Sequence, residues 1–133
     1  MCGITCIISK NNSSIAQNLL SSTNNLIAHR GPDGEGFFHG PNFALGHRRL
    51  SILDLSPDGS QPMHWEDKYV ITFNGEIFNF LEIRTVLNGK GYIFRSQSDT
   101  EVILAAYDFW GKDCVKQFNG MWSFVLYDKA KNQ

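Results

Sequence analysis

Residues 43–55, Phe43-Ala44-Leu45-Gly46-His47-Arg48-Arg49-Leu50-Ser51-Ile52-Leu53-Asp54-Leu55, hold two β-rich runs, Phe43–His47 and Leu50–Leu55, parted only by the basic pair Arg48-Arg49. Strands joined this closely cannot be parallel neighbours, because a parallel crossover needs about a dozen or more residues. The other strand-to-strand spacings also read as too short for regular helical crossovers. The reading is therefore α+β with antiparallel sheets rather than a doubly wound fold.

Outward toward the N-terminus, His29–Gly40 contains four glycines and a proline and reads as a loop leading into a strand. Before it, Ile15, Leu19, Leu20, Leu26 and Ile27 recur at helical spacing, predicting a helix over about residues 14–28 with Ser13 or Ser14 as its cap. Ile4–Ser9 reads as a buried first strand. Outward toward the C-terminus, a Ser-Pro-Asp-Gly-Ser turn precedes Tyr69–Phe73, a β-rich run that ends at Asn74-Gly75. Phe80, Ile83, Val86 and Leu87 give a short helix closed by Gly89 and Gly91, after which Tyr92–Phe94 extends again. Asp99–Trp110 carries the next helical pattern, with Ser98 or Asp99 as cap and Glu101 in its first turn. A short helical piece, Cys114–Phe118, and a strand, Met121–Tyr127, complete the chain.

The 133 residues, 42% of them apolar, suit one domain, and a formal net charge of −1 excludes a strongly basic partner for nucleic acid. No window approaches the roughly 20 apolar residues of a membrane span, and no signal peptide opens the chain, so a cytoplasmic protein is expected. Cys2, Cys6 and Cys114 form no CxxC pair, and His29, His39, His47 and His64 lack the i, i+4 spacing of helical metal ligands. No metal site is expected. Asp54-Leu55-Ser56-Pro57-Asp58-Gly59 imitates the start of a calcium loop but has Trp65 where the twelfth-position glutamate belongs, and Pro57 does not suit such a loop.

Cys2 follows the initiator methionine. Once Met1 is removed, one residue carries both a thiol and an α-amine, whose reference pKa of about 7.7–8.0 lets it act as a base near neutrality. The alternative is a small hydrophobe packed at the start of a strand. Asn74-Gly75 reads either as a hairpin turn or as two N–H donors, one from the side chain and one from the backbone, converging on an oxyanion. Arg49 suits a carboxylate through its planar fork, or is a solvated surface arginine. Asp99 is a helix cap or an acceptor for an ammonium group. Taken together, these residues describe a site for an amino-acid side-chain amide.

Met1-Cys2-Gly3-Ile4, His29-Arg30-Gly31-Pro32-Asp33-Gly34, Arg49-Leu50-Ser51-Ile52-Leu53-Asp54, Gln61-Pro62-Met63, Phe73-Asn74-Gly75-Glu76-Ile77-Phe78-Asn79, Ser98-Asp99-Thr100-Glu101 and Phe118-Asn119-Gly120-Met121-Trp122 occur in order along nearly the whole chain. With these motifs the sequence resembles the class II glutamine amidotransferase domain, and more narrowly the N-terminal glutaminase domain of glutamine-dependent asparagine synthetases. The resemblance implies an N-terminal-nucleophile hydrolase fold, a four-layer αββα sandwich of two antiparallel sheets between helices.

It further implies L-glutamine as substrate. Arg49 takes the α-carboxylate and Asp99 the α-ammonium, with Glu76 and the backbone around Leu50 and Ile52 completing the pocket. Cys2 is the nucleophile, and Asn74 and Gly75 bind the oxyanion. No cofactor is expected for this half-reaction; ATP and Mg belong only to the synthetase domain, absent here and expected in the full-length protein. The alternative readings are a non-catalytic regulatory or interaction module of the same fold, or a domain feeding ammonia to a different acceptor. A homodimer is left open. Two departures stand out: Cys6 replaces the family's usual glycine, and residues 1–133 read as a glutaminase domain incomplete at its C-terminal end.

Overall fold

The structure, a computed structural model, describes residues 1–52 and 54–133. Six strands, β1 (Gly3–Ile8), β2 (Gly34–His39), β3 (Phe43–Arg49), β4 (Met63–Trp65), β5 (Tyr69–Ile77) and β6 (Gly120–Asp128), form two three-stranded antiparallel sheets, ordered β1-β3-β2 and β4-β5-β6. Helix α1 (Gln17–Asn25) lies on the first sheet, and α3 (Asp99–Trp110), with α2 (Phe80–Asn88) beside it, lies on the second. Strands β1 and β3 meet β5 across the gap between the sheets. The result is the expected α+β sandwich, helix, sheet, sheet, helix.

The main core lies between the second sheet and its helices. Ile71, Phe73 and Ile77 of β5 pack with Ile83 and Leu87 of α2 and with Val102, Ile103 and Leu104 of α3. Helix α3 is buried at every residue from Asp99 to Tyr107, with Ala105 and Ala106 allowing close approach to its neighbours. A helix apolar on nearly all sides is what a central position between α2 and a sheet requires. On the other sheet, the buried Asn24 of α1 accepts the Thr5 hydroxyl at 3.2 Å and donates to the His47 carbonyl at 3.3 Å, which fastens the helix to β1 and β3.

Several local expectations change. Helix α1 starts at Gln17, not near residue 14, because Ser13 bonds back to Ser9 in a turn instead of capping a helix. Strand β2 starts at Gly34, inside the glycine-rich segment; at Gly36 an added Cβ would lie 2.1 Å from the Gln61 carbonyl oxygen, so the glycine permits a close chain approach rather than marking a loop. Leu50–Leu55 is not a strand at its described residues, and Leu53 lies outside them. Arg48 and Arg49 belong to β3 itself, and the chain beyond turns its carbonyls toward the Arg49 guanidinium instead of into a ladder. Tyr92–Phe94 is irregular, its neighbouring amides going to the Leu87 carbonyl and the Glu101 carboxylate while Tyr92 and Phe94 pack on Trp65. The short β4 carries no pattern long enough to read.

Candidate active site

Antiparallel pairing brings the start of β1 beside the end of β3, Gly3 opposite Arg48. The second sheet brings the end of β5 to the same edge of the gap, and α3 begins there. A cavity of about 150 Å³ opens at this junction. Its lining includes every residue singled out from the sequence: Cys2, Arg49, Leu50, Ile52, Asn74, Gly75, Glu76 and Asp99.

Cys2 is half-buried. Its sulfur sits 3.4 Å from the Leu50 N–H, which donates to it, and 3.5 Å from the Leu50 carbonyl, while its own carbonyl accepts the Arg30 Nε–H at 3.0 Å. These contacts hold the residue at the cavity rather than in an apolar core. Met1 also lines the cavity, and in the chain that carries it the Cys2 nitrogen is part of a peptide bond. Cys6 lies further along β1, opposite Leu45 and exposed, away from the cavity lining.

Arg49 is held rather than solvated. Its Nη2 donates to the Asp54 and Ser56 carbonyls at 2.5 and 2.9 Å, and its Nη1 to the Ser60 hydroxyl at 3.3 Å. The Nε–H has no acceptor among the described residues. Segment 54–60 thus holds the guanidinium, and Arg49 also lines the cavity.

Asn74 and Gly75 form no hairpin. Strand β5 continues to Ile77, with Asn74 opposite Ser123 and Gly75 opposite Trp122. Gly75 has φ +149°, and an added Cβ would lie 2.3 Å from the Met121 carbonyl oxygen, so β6 passes too close for any side chain. The pair looks like a turn in the one-dimensional sequence because a glycine needed for close approach and one needed for a turn read alike.

Ser98, not Asp99, caps α3, its hydroxyl accepting the Thr100 N–H at 3.0 Å. Asp99 is thereby released to the cavity, where its Oδ2 accepts the Ile77 N–H at 3.0 Å. Burial raises its pKa, and the Glu76 charge adds to that rise against the lowering pull of the backbone N–H groups. One guanidinium and two carboxylates lining the same cavity suit a ligand bearing both an ammonium and a carboxylate.

Other lining residues escaped the sequence reading. Gln61 bridges the sheet and α3, accepting the Phe73 N–H at 2.6 Å and donating to the Thr100 hydroxyl at 3.3 Å. His47, two positions before Arg49 and so on the same face of β3, is fully buried, with no hydrogen-bond partner at either ring nitrogen among the described residues. Desolvation lowers its pKa to about 4; the Phe73 backbone opposes that shift without reaching hydrogen-bond geometry, and the Arg49 charge reinforces it.

Two antiparallel sheets packed between helices, with a cysteine just before the first strand lining the cavity, are the architecture of the N-terminal-nucleophile fold. Solved structures agree on the fold: the allosteric regulatory enzyme of purine biosynthesis matches at TM-score 0.70 and 16% identity over 95% of this chain and 35% of its own. Glutamine phosphoribosylpyrophosphate amidotransferase from B. subtilis matches at TM-score 0.56 and 20% identity over 68% of this chain and 22% of its own. The glutamine amidotransferase domain family matches residues 1–133, and the chain belongs to that family. It is similar to asparagine synthetase [glutamine-hydrolyzing] 1 of Bacillus subtilis, 41% identical over 97% of this chain, and to putative asparagine synthetase [glutamine-hydrolyzing] 2 of Methanocaldococcus jannaschii, 43% identical over 98%. The chain spans 21% and 28% of the length of these two relatives. Among the described residues no helix is long and apolar enough to cross a membrane.

Proposed function

We propose that this domain hydrolyses the side-chain amide of L-glutamine to glutamate and ammonia, and that in the full-length protein the ammonia serves asparagine synthesis. The observation that carries the reading is the meeting of Cys2, Arg49, Asn74, Gly75 and Asp99 at one cavity. Arg49 receives the α-carboxylate through its cavity-side N–H groups, and Asp99, with Glu76 near it, receives the α-ammonium. The backbone at Leu50 and Ile52 closes the pocket.

With Met1 removed, the Cys2 α-amine accepts the thiol proton and the sulfur attacks the amide carbon. The carbonyl oxygen becomes an oxyanion, to which Asn74 Nδ2 and the Gly75 N–H donate. Collapse of this intermediate breaks the C–N bond; the proton returns to the leaving nitrogen, and ammonia departs. Water then adds to the thioester through a second oxyanion, releasing glutamate and the thiol. Oxyanion donors of this kind commonly contribute about 2.7–4 kcal/mol each. No cofactor enters these steps. We further propose a synthetase domain elsewhere in the full-length protein, where ATP and Mg act, and a cytoplasmic location; the similarity to asparagine synthetases and their greater length support the first.

The reading is tested by intact mass, which is expected to show loss of Met1, followed by exposure to a diazoketone analogue of glutamine. A single adduct on Cys2, glutamate release by the unmodified protein and none by Cys2→Ala are expected. A processed, folded protein that gives neither adduct nor glutamate is a binding or regulatory module instead.

A further inference from the structure

The stretch Asp54-Leu55-Ser56-Pro57-Asp58-Gly59, which fails as a calcium loop, has a different use in the fold. Its backbone oxygens at Asp54 and Ser56 hold Arg49 Nη2. The Asp54 carboxylate closes the loop on itself, Oδ1 accepting the Ser56 N–H at 2.8 Å and the Ser56 hydroxyl at 2.6 Å. The other oxygen, Oδ2, accepts the Gln97 N–H at 2.9 Å, 43 residues along the chain. Gln97 lies two residues before Asp99, and Ser98 between them caps α3.

One carboxylate therefore joins the loop that grips Arg49 to the segment that presents Asp99. We propose that Asp54 is a positioning residue for glutamine, fixing the spacing between the carboxylate clamp at Arg49 and the ammonium acceptor at Asp99. The inference rests on the glutaminase reading. Asp54 also lines the cavity, but its two oxygens are engaged by Ser56 and Gln97, so it acts through its neighbours rather than on the ligand.

Other ties reach the same segment: Gln61, next to Ser60, donates to the Thr100 hydroxyl, Arg84 donates to the Gln97 side chain and the Ser98 carbonyl, and Asp99 accepts the Ile77 N–H, but among the described residues only Asp54 joins the carbonyls that hold Arg49 Nη2 to the Gln97 backbone. Glu101 accepts the N–H groups of Arg95 and Ser96 and the Ser96 hydroxyl, so α3 folds its own entry turn without Asp54. Removing the Asp54 carboxylate leaves that turn built and removes its tie to the Asp54 and Ser56 carbonyls that hold Arg49 Nη2. An α-amino acid spans the two groups with a fixed length, and a clamp of variable width loses affinity before it loses chemistry. Hydrogen bonds from Ser56 and Gln97, with the Arg49 charge, hold the carboxyl below the usual aspartate range, so it stays ionised and keeps its grip through neutral pH.

The test uses processed protein with Asp54→Ala and Asp54→Asn. For Asp54→Ala, KM for glutamine is expected to rise roughly tenfold or more, as loss of charge-assisted hydrogen bonds implies, with kcat within about threefold of the parent. Alkylation of Cys2 by iodoacetamide, which uses neither clamp, keeps its rate, and the Gln97 amide exchanges faster. Asp54→Asn, which keeps the volume and one acceptor, falls between, and it carries the test if Asp54→Ala does not fold. A folded variant with unchanged KM overturns the inference alone. So does a joint fall in kcat, affinity and iodoacetamide reactivity, which marks a general structural role. A parent protein with no glutaminase activity and no adduct from the glutamine analogue overturns the glutaminase reading, and this inference with it.

Discussion

Asp99 Oδ2 accepts the Ile77 N–H at 3.0 Å, so the carboxylate at the mouth of α3 is anchored to the last residue of β5, the strand that carries Asn74 and Gly75. The donor pair proposed for the oxyanion and the acceptor proposed for the ammonium are thus parts of one rigid unit, strand plus helix N-terminus. Arg49 and Cys2 belong to the other sheet. The site forms only where the two sheets face each other.

As the proposed ammonium acceptor, Asp99 is expected to govern the pH dependence of glutamine binding. Its pKa lies above the ordinary 3.8 because of burial and Glu76, and a protonated carboxyl no longer attracts an ammonium. KM for glutamine is expected to rise as pH falls through that raised pKa. In Asp99→Asn, KM is expected to be higher by roughly thirtyfold or more, equivalent to about 2 kcal/mol, and that acid limb is expected to disappear. Steady-state kinetics across the acid range check both.

Gly75→Ala is expected to damage both stability and activity. The added methyl meets the Met121 carbonyl oxygen at 2.3 Å, and φ +149° is unfavourable for alanine. A cost of about 1–3 kcal/mol is expected from backbone strain and overpacking. Gly34→Ala, whose Cβ would find only the Arg49 Cβ at 3.8 Å, is the comparison and is expected to stay within about 0.5 kcal/mol of the parent. Urea denaturation of the two variants separates close approach from glycine content.

His47 makes stability fall on acidification. Its folded pKa of about 4 lies below the ordinary 6.5, so between these values the unfolded chain binds the proton that the folded one refuses. Stability therefore rises with pH across that window and falls as pH drops through it. The loss from about pH 7 to about pH 5 is expected to be on the order of 2 kcal/mol. His47→Leu removes this contribution, and denaturation midpoints for parent and variant at both pH values are expected to differ in their pH slopes accordingly.

Leu87, fully buried between α2 and the remainder of the core, is expected to cost about 2–5 kcal/mol on truncation to alanine. Leu26, 77% exposed just after α1, is expected to change stability by no more than about 0.5 kcal/mol in the same substitution. Thermal or chemical denaturation distinguishes them directly.

The amino-acid sequence by itself pointed to the antiparallel α+β class, through its mixture of strands and helices and its run of motifs, and it located α3 to the residue, through an apolar run bounded by the Ser98 cap and Gly111. It also named the residue types from which an amide-hydrolysing site can be assembled. Tertiary structure decided what those residues do locally. Asn74-Gly75 became strand because β6 lies against it, the described residues of Leu50–Leu55 form no strand while the Asp54 and Ser56 carbonyls turn to the Arg49 guanidinium, and Asp99 was released from capping because Ser98 takes that bond. The uses of Gln61, His47 and Asp54 became visible only in three dimensions, since Gln61 and Asp54 find partners far along the chain and His47 is enclosed on the cavity side of β3. The physical reason is the same throughout: periodicity reports which face of an element is buried, whereas the use of a hydrogen-bonding group depends on which other groups the packed sheets bring within about 3 Å of it.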